Sequence, residues 1–245
     1  MKQRIRNFIR RVFGLLRLSD KLDRIDIATQ ALINAQRLKA VAENCQWLKY
    51  KSFITGRWAM DNAALYTLCR ILNNMKPKNI LEFGLGQSSF MIHQYANFYE
   101  DVSALTIEHD KEWITFFMNG IQKDIHISTK QYDKEFVKYK EFETLTYKNM
   151  NELQGEVYDF FVVDGPFGSE HYSRSQIIDF VQENLPERFC ILIDDSERNG
   201  EKETIEEVCK IFTNQKIEYY VVNYPGEKKE HTVICSNNLK FLTSL

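Results

Sequence analysis

The chain has 245 residues, 44% of them hydrophobic and 27% charged, and a net charge of −2. That length and balance suit one large α/β domain with an appendage, and they exclude wholesale disorder, multiple membrane spans and a general attraction for nucleic acid. The five cysteines (Cys45, Cys69, Cys190, Cys209, Cys235) stand singly with no C-x-x-C pair, which argues against a disulfide framework or zinc site and for a reducing, cytoplasmic compartment.

Residues 1–17 read as a basic amphipathic helix. Arg10, Arg11 and Arg17 interrupt every apolar core that a signal peptide would need, so neither cleavage nor a bilayer span is expected there. At helical spacing Ile5, Phe8, Ile9, Val12, Phe13 and Leu16 share one face. Residues 1–24 carry eight Lys or Arg against Asp20 and Asp23. Peripheral attachment to the inner face of an anionic membrane is one reading of this segment, and packing on the domain or on a second subunit is the other. Residues 18–55 continue as a helical, coiled-coil-like segment in which Leu15, Leu18, Leu22, Ile25 and Leu32 fall at heptad a and d positions. This pattern suits a homodimer through residues 15–48, with docking onto the main domain as the alternative. Gly56 breaks the pattern and opens the main domain, 56–245. Its first helix, in "MDNAALYTLCRILNNMKP", is ended by Pro77.

From there apolar strand runs alternate with helical segments. "NILEFGLG", "VSALTIEHD", "YDFFVVDGP" and "FCILIDD" are strands, and "KEWITFFMNGI", "RSQIIDFVQENL" and "ETIEEVCKIF" are helices. Continuous apolar strands separated by helices predict an α/β fold of the Rossmann-like, doubly wound kind, with a mostly parallel seven-stranded sheet covered on both faces. The segment "IEYYVVNYPGEKKEHTVICS" holds two strands with no helix between them and predicts a C-terminal antiparallel hairpin. Residues 128–156 show no clean period.

In such a sheet ligands bind beyond the carboxyl ends of the strands. The first strand ends in Glu82, Gly84 and Gly86, followed by Ser88 and Ser89 at a helix start, where glycines admit close backbone approach and the helix terminus offers amide donors. The second ends at Glu108, placed to accept hydrogen bonds from both hydroxyls of a ribose. Together they imply an adenosine-containing ligand, either NAD or S-adenosylmethionine. Glu82 before the glycines, the closing hairpin and the lack of residues for a second catalytic domain favour the latter. From about residue 57 onward the chain resembles the class I S-adenosylmethionine-dependent methyltransferases, whose E/D-x-G-x-G turn is met by Glu82, Gly84 and Gly86, with Ser88 where many members have a third glycine. The resemblance implies that Glu82 lies near the methionine amine, Ser88 or Ser89 near its carboxylate, and Glu108 on the ribose.

Asp164 ends a later strand, and Asp194 and Asp195 end the next, so three carboxylates meet. Such a group requires a divalent cation or a cluster of Arg and Lys. The arrangement resembles the metal-dependent O-methyltransferases, which implies Mg2+ or a similar cation on Asp164, Asp194 and Asp195 and a hydroxyl as acceptor. The simpler reading makes Asp195 and Ser196 a helix cap and Asp164 a turn residue. The sequence Asp164, Gly165, Pro166, Gly168, followed by Arg174, also resembles the glycan-directed methyltransferases, including those of plant cell-wall polysaccharides, which implies a glycan, polysaccharide or sugar-precursor hydroxyl. His171 is the candidate general base with Asp164 beside it, a solvent-exposed loop histidine being the alternative, and Arg174 is expected either to hold an anionic substituent on the acceptor or to form a surface salt bridge. His109 follows Glu108 and is expected to flank the cofactor, while Lys228, Lys229 and His231 lie on the hairpin loop with solvation as their first expectation. The alternatives are a metal-independent enzyme acting on a small metabolite, an NAD-binding oxidoreductase, and a non-catalytic scaffold of the same fold.

Overall fold

The predicted alternation folds into strands and helices in the order expected, as seen in a computed structural model that describes residues 2–55, 59–183 and 185–245. The described strands are β1 (Asn79–Phe83), β2 (Ser103–Glu108), β3 (Thr129–Gln131), β4 (Lys134–Tyr139), β5 (Phe142–Tyr147), β6 (Phe160–Val163), β7 (Cys190–Ile193), β8 (Tyr219–Pro225) and β9 (Glu230–Ser236). The helices are α1 (Lys2–Glu43), α2 (Asn62–Met75), α3 (Gln87–Phe98), α4 (Lys111–Gly120), α5 (Asn151–Gln154), α6 (Gln176–Glu183) and α7 (Asn199–Asn214), with a closing 3-10 segment, Asn237–Ser244.

Seven strands form one sheet in the order β3-β2-β1-β6-β7-β9-β8. Strand β9 runs antiparallel to both of its neighbours, and the other pairs are parallel. This is the expected Rossmann-like, doubly wound sheet with its C-terminal hairpin, and β9 sits inside that hairpin's sheet edge rather than at the rim. The central strands alternate sides. Ile80, Phe160, Val162, Cys190 and Leu192 pack on the layer of α1, α2 and α3, while Leu81, Phe83, Phe161, Val163, Ile191 and Ile193 pack on the layer of α6 and α7. Both sets are apolar because both faces are covered, and each such side chain removed from water contributes roughly 1.5–3 kcal/mol.

Residues 128–156, without a readable period, form β3, the separate hairpin β4–β5 and the single turn α5. The helix α1 runs unbroken through residues 17 and 18, so the basic amphipathic segment and the heptad segment share one helix. Nothing between Leu15 and Glu43 interrupts helical hydrogen bonding, and Thr29 satisfies its hydroxyl on the Ile25 carbonyl one turn back (2.7 Å). Only the C-terminal part of α1 joins the core, through Asn34, Leu38 and Ala42. Trp47 completes the anchor, with its indole N–H donating to Asn73 Oδ1 at 2.7 Å. The heptad residues Leu15, Leu18, Leu22, Ile25 and Leu32 are all exposed. The predicted break at Gly56 lies outside the described residues. No described helix is long and apolar enough to cross a membrane.

Candidate functional site

The sheet order reverses between β1 and β6, because the chain proceeds from β1 outward through β2 and β3, and from β6 outward through β7. The ends of these four strands therefore border the crevice where doubly wound sheets take their ligands. The two glycines of the first turn do different work. Gly84 has φ +101, and a Cβ there would lie 3.1 Å from the Asp164 carbonyl carbon and oxygen. It is glycine so that the β1 and β6 turns can touch, not to admit a ligand directly. Gly86, N-terminal to α3, faces open space, with nothing within 4 Å of a Cβ built on it. The open cradle lies in front of this residue, where backbone approach by a ligand meets no obstruction.

Behind the cradle stands Glu82, fully buried. Its Oε2 accepts from the Thr106 hydroxyl (2.7 Å), which is itself 2.9 Å from His93 Nε2. Since the Thr106 proton is committed to Glu82, His93 Nε2 carries its own proton and donates. Burial lowers the His93 pKa to about 3, so the ring stays neutral. Burial raises Glu82 to about 7, against the opposing effect of the nearby Ser88, Ser89 and Thr106 hydroxyls. Proximity of the two serines does not amount to a bond for the other oxygen, since Glu82 Oε1 has no aligned hydrogen-bond partner. Ser89 Oγ accepts from the Gly86 N–H at 2.9 Å. Ser88 is buried beside it. Glu108, at the end of β2, accepts from the Leu85 N–H on Oε2 (3.0 Å) and from the His109 and Asp110 N–H groups on Oε1 (2.7 and 2.9 Å). One carboxylate thus ties the β1 and β2 turns together, with a lone pair of Oε2 left over. His109 Nδ1 lies 2.7 Å from Glu108 Oε1, and its pKa is lowered by burial against the pull of that carboxylate.

On the other side of the switch, Asp164, Asp194 and Asp195 do converge, each offering an oxygen within 4.8 Å of the others. Two basic side chains already lie among them. Arg174 reaches Asp195 Oδ2 at 2.8 Å, Asp164 Oδ1 at 3.3 Å and Glu201 Oε1 at 3.7 Å, and also donates to the Asp194 and Val163 carbonyls. Lys229, from the β8–β9 loop, bridges Asp194 Oδ2 (2.7 Å) and Asp195 Oδ1 (3.3 Å). Arg198 adds a contact to Asp195 at 3.0 Å from its half-exposed position. Burial raises Asp164 well above its usual range, with Asp194 adding to the effect. Asp194 is raised by burial too, against Lys229. Asp195 feels burial as well, but Arg174, Lys229 and Arg198 outweigh it and its pKa is lowered. Tyr172, Arg174 and Asp195 all have positive φ (45, 58 and 58), a concentration of sparsely populated backbone that marks an over-determined site.

This arrangement revises two expected roles. Arg174 is buried and spends its guanidinium inside the protein, so it is the internal counter-ion of the acidic group and not a hand held out to an acceptor. The His171 ring stacks on Phe142 (centroids 3.9 Å apart) with Nδ1 3.0 Å from Glu203 Oε1, and neither partner belongs to the carboxylate group. Lys229 and His231 depart from solvation: Lys229 enters the acidic group, and His231 is buried with Nε2 2.8 Å from Thr67 Oγ1. Lys228 is exposed. Thr106, His93 and Tyr147 are additional members of the site region. Tyr147 is buried between the strand ends with its hydroxyl toward the Ile107 carbonyl. Of these, Thr106 alone had a readable signal, as the inward neighbour of Glu82 on a parallel strand in register.

No family model matches the chain, and no curated protein matches it. Among solved structures it is similar to an O-methyltransferase from Bacillus cereus in complex with SAH, at 11% identity over 82% of this chain and 91% of that one, with a TM-score of 0.47. It is also similar to the SAH-bound methyltransferase PaMTH1 of Podospora anserina, at 12% identity over 90% of this chain and 96% of that one, with a TM-score of 0.47. A third is the O-methyltransferase TomG of Streptomyces achromogenes in complex with SAM, at 10% identity over 82% of this chain and 89% of that one, with a TM-score of 0.45. At such scores the likeness stands as similarity only, and the site is read from its own residues.

Proposed function

We propose that the chain is an S-adenosylmethionine-dependent methyltransferase that acts on an oxygen, with a sugar or glycan hydroxyl as the acceptor class. The observation that carries this reading is Glu82, a fully buried carboxylate with Oε1 unpartnered behind the open cradle of Gly86. A buried anion without its complement is costly, and a cationic ligand group is the complement it lacks. The methionine ammonium supplies such a group, Ser88 is the adjacent donor for the methionine carboxylate, and the spare lone pair of Glu108 suits a ribose hydroxyl. NAD offers no primary ammonium to this position.

When bound, S-adenosylmethionine supplies a methyl group made electrophilic by a sulfonium. The protein must place an acceptor oxygen in line with it and receive the proton. Asp164 is the member of the acidic group with the most side-chain exposure, 15% against 1% for Asp194 and 6% for Asp195, so it is the one that accepts the hydroxyl proton. Arg174 and Lys229 hold Asp194 and Asp195 in place.

The donor set has the chemistry of a divalent-cation site, yet Lys229 Nζ occupies the position between Asp194 and Asp195 that a cation would take. A divalent cation does not fit beside that ammonium, and methyl transfer here proceeds with the built-in cations. Calorimetry with S-adenosylmethionine, S-adenosylhomocysteine and NAD tests the cofactor. Binding of the first two without NAD is expected, and binding of NAD alone replaces the reading with an oxidoreductase. Transfer of labelled methyl to nucleotide-sugar and polysaccharide acceptors in excess chelator tests the rest. Tight cofactor binding with no transfer to any acceptor favours the scaffold.

A further inference from the structure

We infer that the N-terminal third of α1 lies on an anionic lipid surface, with its apolar face in the headgroup boundary and its arginines on the phosphates. From Gln3 to Asp26 every described side chain of α1 is exposed, and Ile27 is the first that is partly buried. This leaves roughly 35 Å of helix projecting free of the domain. On it Phe8 (68% exposed), Ile9, Val12, Phe13 (60%) and Leu16 are all open to solvent. At roughly 100° per residue they fall within one half of the helix circumference, and Arg4, Arg10, Arg11 and Arg17 take the other half. A contiguous apolar face of this size, unburied, marks an interaction surface.

The charge identifies the partner. Residues 1–19 contain six Lys or Arg and no Asp or Glu, the first acid being Asp20. A second copy packed apolar half to apolar half would leave the arginines on the outside without partners, whereas anionic lipid matches both the cationic and the apolar half at once. The heptad residues Leu22 and Ile25 follow beyond the acid-free stretch, where Asp20, Asp23 and Asp26 appear, so they do not share its charge signature.

Co-flotation of the full-length protein with vesicles tests this. On vesicles of phosphatidylcholine containing about one third phosphatidylglycerol, recovery about tenfold above that on pure phosphatidylcholine is expected, falling as salt is raised. The paired variants Phe8→Glu with Phe13→Glu and Arg10→Glu with Arg11→Glu should each abolish it. Their thermal unfolding should match that of the unaltered chain, because none of these side chains touches the domain. Absence of flotation on anionic vesicles, equal flotation on neutral ones, or flotation of either paired variant overturns the inference. A concentration-dependent dimer that the Phe8/Phe13 variant converts to monomer, with no vesicle binding, overturns it in favour of a protein interface. Cofactor binding reads out separately and is unaffected by all these outcomes.

Discussion

The β1–β2 end and the β6–β7 end of the sheet both bury carboxylates within one crevice, but they are neutralised differently. Glu82 and Glu108 receive only neutral donors, the Thr106 hydroxyl and the N–H groups of Leu85, His109 and Asp110. Asp164, Asp194, Asp195 and Glu201 instead meet Arg174, Lys229 and Arg198. Neutral donors orient an anion without cancelling it, so the first end attracts a cation from outside. Internal cations cancel most of the charge at the second end, which then suits a neutral hydroxyl. Under the proposed function, the sulfonium-bearing amino acid goes to the first end and the acceptor to the second.

The strongest way to break this comparison is Arg174→Met, which takes from Asp164 its ion-pair partner and from Asp195 and Glu201 one of theirs. A loss of about 3–5 kcal/mol in urea unfolding is expected, and a loss under about 1 kcal/mol would mean that the acids are satisfied from elsewhere. Next comes Glu82→Gln, which keeps the shape and removes the charge. Affinity for S-adenosylmethionine should fall about 10–100-fold by calorimetry, the worth of a charged hydrogen bond. The same residue sets a pH signature. Burial moves its folded-state pKa from 4.5 to about 7, so the folded protein holds a proton that the unfolded chain has already released. Its contribution to stability is complete below pH 4.5 and is lost as pH rises to about 7, a decline worth roughly 3 kcal/mol that Glu82→Gln should flatten. Affinity for the cofactor should move the other way, rising over the same interval as Glu82 ionises. Lys229→Met is a smaller perturbation, because that side chain is partly solvated. A loss of about 1–3 kcal/mol is expected, together with a gain of thermal stability on adding magnesium or calcium that the unaltered protein does not show.

Much of the site was legible because strand ends are where parallel sheets bind ligands, and Glu82, Glu108, Asp164 and Asp194 each close an apolar run. Their counter-ions were less so. Arg174 is ten residues from Asp164, yet nothing local says that it turns inward from a positive φ. Lys229 is 35 residues beyond Asp194 and reaches it only because β9 inserts beside β7, pairing Ile193 with Thr232. The β4–β5 hairpin was unreadable for a related reason. It stands outside the main sheet with Phe136 72% exposed, and two of the positions that β5 buries, Thr144 and Thr146, are polar, so no alternation of apolar and polar residues marks its sequence.

The smallest expected effect falls on the histidine that sequence position favoured. His171 lies seven residues past Asp164, in the loop that approaches the crevice, and a general base there is worth about 100- to 10,000-fold in rate. Its Nδ1 faces Glu203, its ring lies on Phe142, and Glu203 is held further by the Tyr172 N–H (3.1 Å) and Asn199 (3.1 Å). This is a loop clamp joining the β5 turn to α7, and releasing it costs a surface contact. His171→Gln should therefore change kcat by less than about threefold and stability by about 1 kcal/mol or less. Asp164→Asn should lower kcat by about 100-fold or more with the cofactor affinity unchanged. If the two variants exchange these outcomes, the proton leaves through His171 and the loop must rearrange when the acceptor binds.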